Sequence, residues 1–120
     1  MTSPSAAATR LARTRIRLRG GELAALRGSA ARACVVLRAL ANEVRLMLVC
    51  QLAEGEKTVG QLQKSVGLSQ SAVSQHLGLL RAHKLVSAHR NGKSVRYSLA
   101  SGEAAAIIET LHDQFCPRSR

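Results

Sequence analysis

Apolar positions along this chain fall into four helical patterns, then one alternating pattern, then a last helical one. Glu22 to Leu40 is rich in Ala and Leu, which favours a helix that Gly28 weakens. Glu43 to Ala53 follows, with Asn42 placed to cap it. Here Val44, Leu46, Met47, Leu48, Val49, Cys50 and Leu52 leave almost no polar face, which predicts burial on most sides. Glu54-Gly55-Glu56 ends that helix. Thr58-Val59-Gly60-Gln61 fits a capping box and opens a short helix with Val59, Leu62 and Val66 on one face. Gly67 breaks it, and Ser69 is placed to cap the next helix, Gln70 to about His83. The inward stripe of that helix is Ala72, Val73, Leu77 and Leu80, and its outward face is Gln70, Ser71, Ser74, Gln75 and Gly78.

The period then changes from helical to alternating. Val86 and Ala88 alternate with polar residues before Asn91-Gly92, and Val95, Tyr97 and Leu99 alternate after it. Asn-Gly between two alternating runs predicts a hairpin closed by a type I′ turn. Gly102 to Phe115 is again helical, with Ile107, Ile108, Leu111 and Phe115 as its stripe, and Pro117 stops it so that Cys116 falls at its C-terminal end. Two short helices joined by a Gly-containing turn form a helix-turn-helix, and a basic hairpin after it is a wing. The expected fold is therefore mainly α with a small β-hairpin: a winged helix-turn-helix of five helices.

That fold puts candidate chemistry in two places. Ser69, Gln70, Ser71, Ser74, Gln75 and His76 lie on or beside the exposed face of the second helix of the pair, where Gln can bond adenine edges and Ser can donate or accept. The hairpin tip is expected to carry Arg90, Lys93 and Arg96, where cations meet phosphates beside the groove. The bland alternative is an ordinary amphipathic helix pair and a solvated hairpin.

Charge weighs against the bland reading. The 120-residue chain carries a formal charge of +11, which points to a polyanionic partner, either nucleic acid or an anionic membrane surface. Residues 57–102 hold seven Lys or Arg and no acid. Tyr97 and Phe115 are the only aromatic residues, too few for the base stacking that single-stranded nucleic acid needs, so double-stranded DNA is the expected partner. An architectural binder without sequence preference would use the charge but not the Gln/Ser face. Residues 1–21 hold five arginines and no acid and read as a disordered basic arm, loosely similar in composition to a transit peptide. The DNA-binding domain is expected over residues 22–117, with 118–120 as a tail. No apolar run approaches a membrane span. No nucleophile elbow, P-loop, paired-carboxylate site or metal-ligand cluster suggests an enzyme, and no cofactor is expected.

Three widely spaced cysteines, Cys34, Cys50 and Cys116, with no secretory signal before them, argue against a disulfide framework and for a reducing cytoplasm. Cysteine is among the most buried residue types, so packing accounts for Cys34 and is one reading of Cys50.

The element order, with SQSAVSQHLGLLRAHKLV and HRNGKSVRYSL, resembles the ArsR/SmtB family of bacterial dimeric repressors over about Arg32 to Pro117. The resemblance implies a homodimer, closed through the first and last helices, that leaves its operator when an inducer binds. Members sense metals or metalloids at recurrent places. At one of these this chain has Thr58 and Gly60 where thiols are needed, and at the other only His112 and Asp113 stand near the end of the last helix. RLMLVC and DQFCP, separated by 116 − 50 = 66 residues, instead resemble the BigR/SqrR-like branch, which responds to persulfides and polysulfides. That likeness implies that Cys50 and Cys116 are paired sensor thiols within one chain. A metal- or metalloid-responsive repressor (arsenite or zinc) is the alternative. The chemistry asks for little beyond two neighbouring sulfurs: a thiol that accepts sulfane sulfur is resolved by a second thiol. A direct disulfide needs Cα atoms within roughly 7 Å, and each inserted sulfur adds about 2 Å, so a pair held slightly too far apart favours polysulfide over peroxide.

Overall fold

The computed structural model describes residues 20–116. The expected arm and tail therefore fall outside the described residues, except Gly20 and Gly21, which are helical. The chain divides into two units, residues 1–31 and 32–120. What is described of the first is the opening part of a helix, Gly20–Leu40 (α1).

The second unit holds the rest. Its elements are Glu43–Ala53 (α2), Lys57–Thr58 (β1), Val59–Val66 (α3), Gln70–Ala82 (α4), Val86–Asn91 (β2), Ser94–Leu99 (β3) and Gly102–Phe115 (α5). The five helices and the wing are those the apolar pattern predicts. The caps hold as expected: Asn42 accepts from Arg45 N–H, and Ser69 from Ala72 N–H. At Thr58 both halves of the capping box are present. Gln61 N–H donates to Thr58 Oγ1 at 3.3 Å, and Thr58 N–H to Gln61 Oε1 at 2.9 Å. Gly67 ends α3 in the left-handed region, at φ 69°, with its N–H on Gln63 O.

Helix α4 ends without a glycine. Leu85 N–H reaches back to Leu80 O and Lys84 N–H to Arg81 O, the paired bonds of a Schellman motif. Lys84 takes the left-handed conformation, φ 63°, that glycine usually supplies. The motif turns the chain so that Leu85 and Val86 enter the core.

The core is aliphatic, as a chain so poor in aromatics requires. Leu48, Val49 and Leu52 of α2, Leu62 of α3, Val73, Leu77 and Leu80 of α4, and Ala104 and Ile108 of α5 close on one another. Val36, Ala39 and Leu40 of α1 join them.

Five expectations need correction. The hairpin turn is shifted by one residue: Asn91 pairs with Ser94, leaving Gly92 and Lys93 as the loop. Gly92 has φ 66° and Lys93 is not among the positive-φ residues, so the turn has the II′ and not the I′ pattern. The wing also gains a strand, because β1 pairs antiparallel with β3 in the order β1-β3-β2. Helix α2 is less enclosed than its composition suggests. Met47 is exposed and borders an open hollow of ≈ 470 Å³ with Glu43, Val44, Leu46, Ser65 and Val66. Finally, Phe115 is 80% exposed, and Cys34 is exposed and does not pack. Cys34 lies two residues before Val36, which turns it away from the face that buries Val36, Ala39 and Leu40.

Candidate nucleic-acid interface and sensor thiols

Helix α4 presents two chemically different faces. Val73, Leu77 and Leu80 are fully buried and fix its rotation. That rotation leaves Gln70, Ser71, Ser74, Gln75 and Gly78 exposed together, and His76 half-buried beside them. Ser69 is committed to the cap, at 3.2 Å from Ala72 N, and its hydroxyl lies 3.3 Å from that of Ser71. The side chains of Gln70, Ser74 and Gln75 make no hydrogen bond among the described residues, so their donors and acceptors are open to a ligand. A row of unspent amides and hydroxyls on a rigid helix suits base edges in a major groove.

The wing separates the three expected cations. Arg90 and Lys93 are exposed at its tip. Arg96 is not at the tip: it lies mid-strand in β3, opposite His89 of β2 and Thr58 of β1. Its Nε is 3.8 Å from Glu56 Oε1, and the other oxygen of that carboxylate is 2.8 Å from His89 Nε2. Sequence reasoning missed Glu56. It stands just before the acid-free stretch, and only the pairing of β1 with β3 brings it onto the wing.

Cys50 and Cys116 come from helices that pack together, α2 and α5. Cys50 is half-buried at the edge of the core. Cys116 is exposed at the C-cap of α5, where its N–H donates to His112 O. Burial pushes the Cys50 thiol up from its ordinary value, and the charge of the Cys116 thiolate pushes it further. His112 and Asp113 are exposed, and among the described residues no group of three or more His, Cys, Asp or Glu is arranged to hold a metal ion.

A helix-turn-helix with an exposed polar recognition helix and a cationic wing defines a winged-helix DNA-binding protein. Comparison with known proteins gives the family. The model for "Bacterial regulatory protein, arsR family" matches residues 42–88. The chain is 46% identical over 88 residues to the transcriptional activator HlyU of Vibrio cholerae, covering 73% of this chain and 82% of that one. It is 41% identical over 85 residues to the biofilm growth-associated repressor of Xylella fastidiosa, covering 71% and 75%. The crystal structure of the repressor BigR from Xylella fastidiosa superposes with a TM-score of 0.73 at 39% identity, over 78% of this chain and 95% of that one. The chain belongs to the ArsR family, in its BigR-like branch. It is a DNA-binding transcriptional regulator and not an enzyme. No helix among the described residues is long and apolar enough to cross a membrane.

Proposed function

We propose that this chain is a homodimeric repressor that reads an operator with α4 and the wing and releases it when reactive sulfur bridges Cys50 and Cys116. The observation that carries this reading is the packing of α2, which holds Cys50, against α5, which ends at Cys116, across 116 − 50 = 66 residues of sequence; the raised Cys50 thiol agrees with it. The likeness to a repressor of the same branch supports the direction of control.

Dimerisation through the first and last helices is supported by apolar surface that a single chain leaves uncovered. Leu37 of α1 is 54% exposed and Phe115 of α5 is 80% exposed. Ile107 and Leu111 flank an open apolar hollow of ≈ 260 Å³ on α5. In such a dimer the spacing of the two recognition helices is set by how α5 sits on the rest of each chain.

The order of the thiol steps follows from access. Cys116 is exposed, whereas burial and the neighbouring charge keep Cys50 protonated to higher pH. Cys116 thiolate attacks the central sulfur of a trisulfide RS–S–SR and displaces RS⁻. Cys50, once deprotonated, attacks the same sulfur of the Cys116 adduct and displaces the second RS⁻. Two thiolates are oxidised, the trisulfide is reduced to two thiolates, and one sulfur stays between Cys50 and Cys116. The bridge ties α2 to α5 and shifts the two reading heads.

The test is release from an operator duplex chosen from random sequence by the protein itself. Polysulfide is expected to release the reduced wild type and Cys34→Ser. Cys50→Ser and Cys116→Ser are expected to bind and stay bound. Release of Cys50→Ser by polysulfide, or release of the wild type at far lower arsenite or zinc concentration, overturns the sulfur reading.

A further inference from the structure

The wing carries an acid that its own sequence lacks. Glu56 places one carboxylate oxygen on His89 Nε2 and turns the other toward Arg96 Nε. The nearby cation Lys57 is taken by Glu54, at 3.5 Å, so it does not compete for Glu56. The carboxylate and the Arg96 side chain are each 38% exposed, within reach of a ligand laid along the sheet. A carboxylate set against a guanidinium makes the same kind of contact that a phosphate oxygen makes.

We propose that Glu56 is an internal competitor for DNA phosphate. In the free protein it occupies Arg96, with His89 on its other oxygen, so that the tip residues Arg90 and Lys93 meet the duplex and the mid-strand cation does not. Glu56 thereby limits sequence-independent affinity, leaving the α4 face a larger share of the discrimination. The proposal rests on the wing lying against DNA, which Arg90→Gln tests separately.

One more phosphate contact steepens the dependence of log K on log salt by about 0.9, which amounts to about eightfold tighter binding per wing at 0.1 M salt relative to 1 M. Glu56→Gln is expected to show that steeper slope and tighter binding on random-sequence duplex, measured by fluorescence anisotropy across a salt series. Glu109→Gln makes the same change in net charge on an exposed site of α5, away from the wing, and is expected to give a much smaller change. In Glu56→Gln/Arg96→Gln the gain is expected to vanish. Arg96→Gln alone is expected to flatten the slope less than Arg90→Gln, because Glu56 already holds Arg96; this comparison stands even if Glu56→Gln folds poorly. Weaker or unchanged binding by Glu56→Gln, an equal gain from Glu109→Gln, or a loss from Arg96→Gln as large as that from Arg90→Gln overturns the proposal. No effect of Arg90→Gln on the slope removes the wing from the interface and overturns it for that separate reason.

Discussion

Gln75 and Leu77 stand two residues apart on α4 and face opposite ways, so substituting each by Ala separates reading from folding. Leu77 is fully buried. Truncating such a leucine costs about 2–5 kcal/mol. In a domain of this size each kcal/mol lowers the melting temperature by about 4–8 °C, so Leu77→Ala is expected to lose at least about 8 °C. Its folded fraction keeps the same ranking of operator over random duplex. Gln75 is exposed and free of internal hydrogen bonds among the described residues. An exposed substitution of this kind stays within about 0.5 kcal/mol, and Ala is the better helix former. A bidentate Gln–adenine pair contributes about 1–3 kcal/mol of discrimination, and a dimer on two half-sites makes two of them. At 1.4 kcal/mol per tenfold, Gln75→Ala is expected to lose at least about thirtyfold in preference for operator over random duplex. Thermal melts and competition anisotropy on both variants give the four numbers. Equal loss by Gln75→Ala on operator and random DNA would refute α4 as the reading element.

Three further outcomes follow from particular residues. Deleting residues 1–19, which hold five arginines and no acid, is expected to lower affinity for random duplex and flatten its salt dependence while polysulfide release persists; unchanged non-specific affinity speaks against a DNA-binding arm. Cys116→Ser removes the second cause that pushes the Cys50 thiol up but leaves burial in place, so the pH at which Cys50 is half-alkylated by iodoacetamide is expected to fall yet stay above the ordinary thiol range. An unchanged or higher midpoint contradicts the neighbourhood of the two sulfurs. Lys84→Gly relieves a left-handed backbone at the end of α4 and is expected to stabilise by about 0.5–1 kcal/mol, read as a higher melting temperature; destabilisation shows that the Lys84 side chain matters more than its backbone.

Most of the fold was legible because local and long-range signals agree. Thr58 with Gln61, Ser69 before Ala72, and Asn42 before Arg45 each cap the helix that the apolar period begins. The misses occur where pairing or exposure is settled at a distance. Asn91-Gly92 reads as a two-residue turn, yet Gly92 at the first loop position supplies the one positive φ needed and Asn91 joins β2. β1 is two residues long and leaves no alternating pattern to find. Its pairing with β3 is also what brings Glu56 to His89 and Arg96, so the wing's charge was misjudged for the same reason. Phe115, Met47 and Cys34 lie on helices whose periodicity marks apolar residues without saying whether this chain or another covers them. The exposed polar face of α4 was legible because Val73, Leu77 and Leu80 fix its rotation. The packing of α2 against α5, the helices that hold Cys50 and end at Cys116, is encoded in no local pattern, and only family likeness suggested the proposed pair.

The dithiol switch is tested most directly by proteolysis and mass spectrometry of the intact dimer after exposure to polysulfide under conditions that release operator DNA. The account predicts one species in which the peptide holding Cys50 and the peptide holding Cys116 of the same chain are joined through one or two extra sulfur atoms, with Cys34 still alkylatable and Cys50→Ser giving no linked species. Released protein whose Cys50 and Cys116 peptides remain unlinked, or are linked only through Cys34, would contradict it.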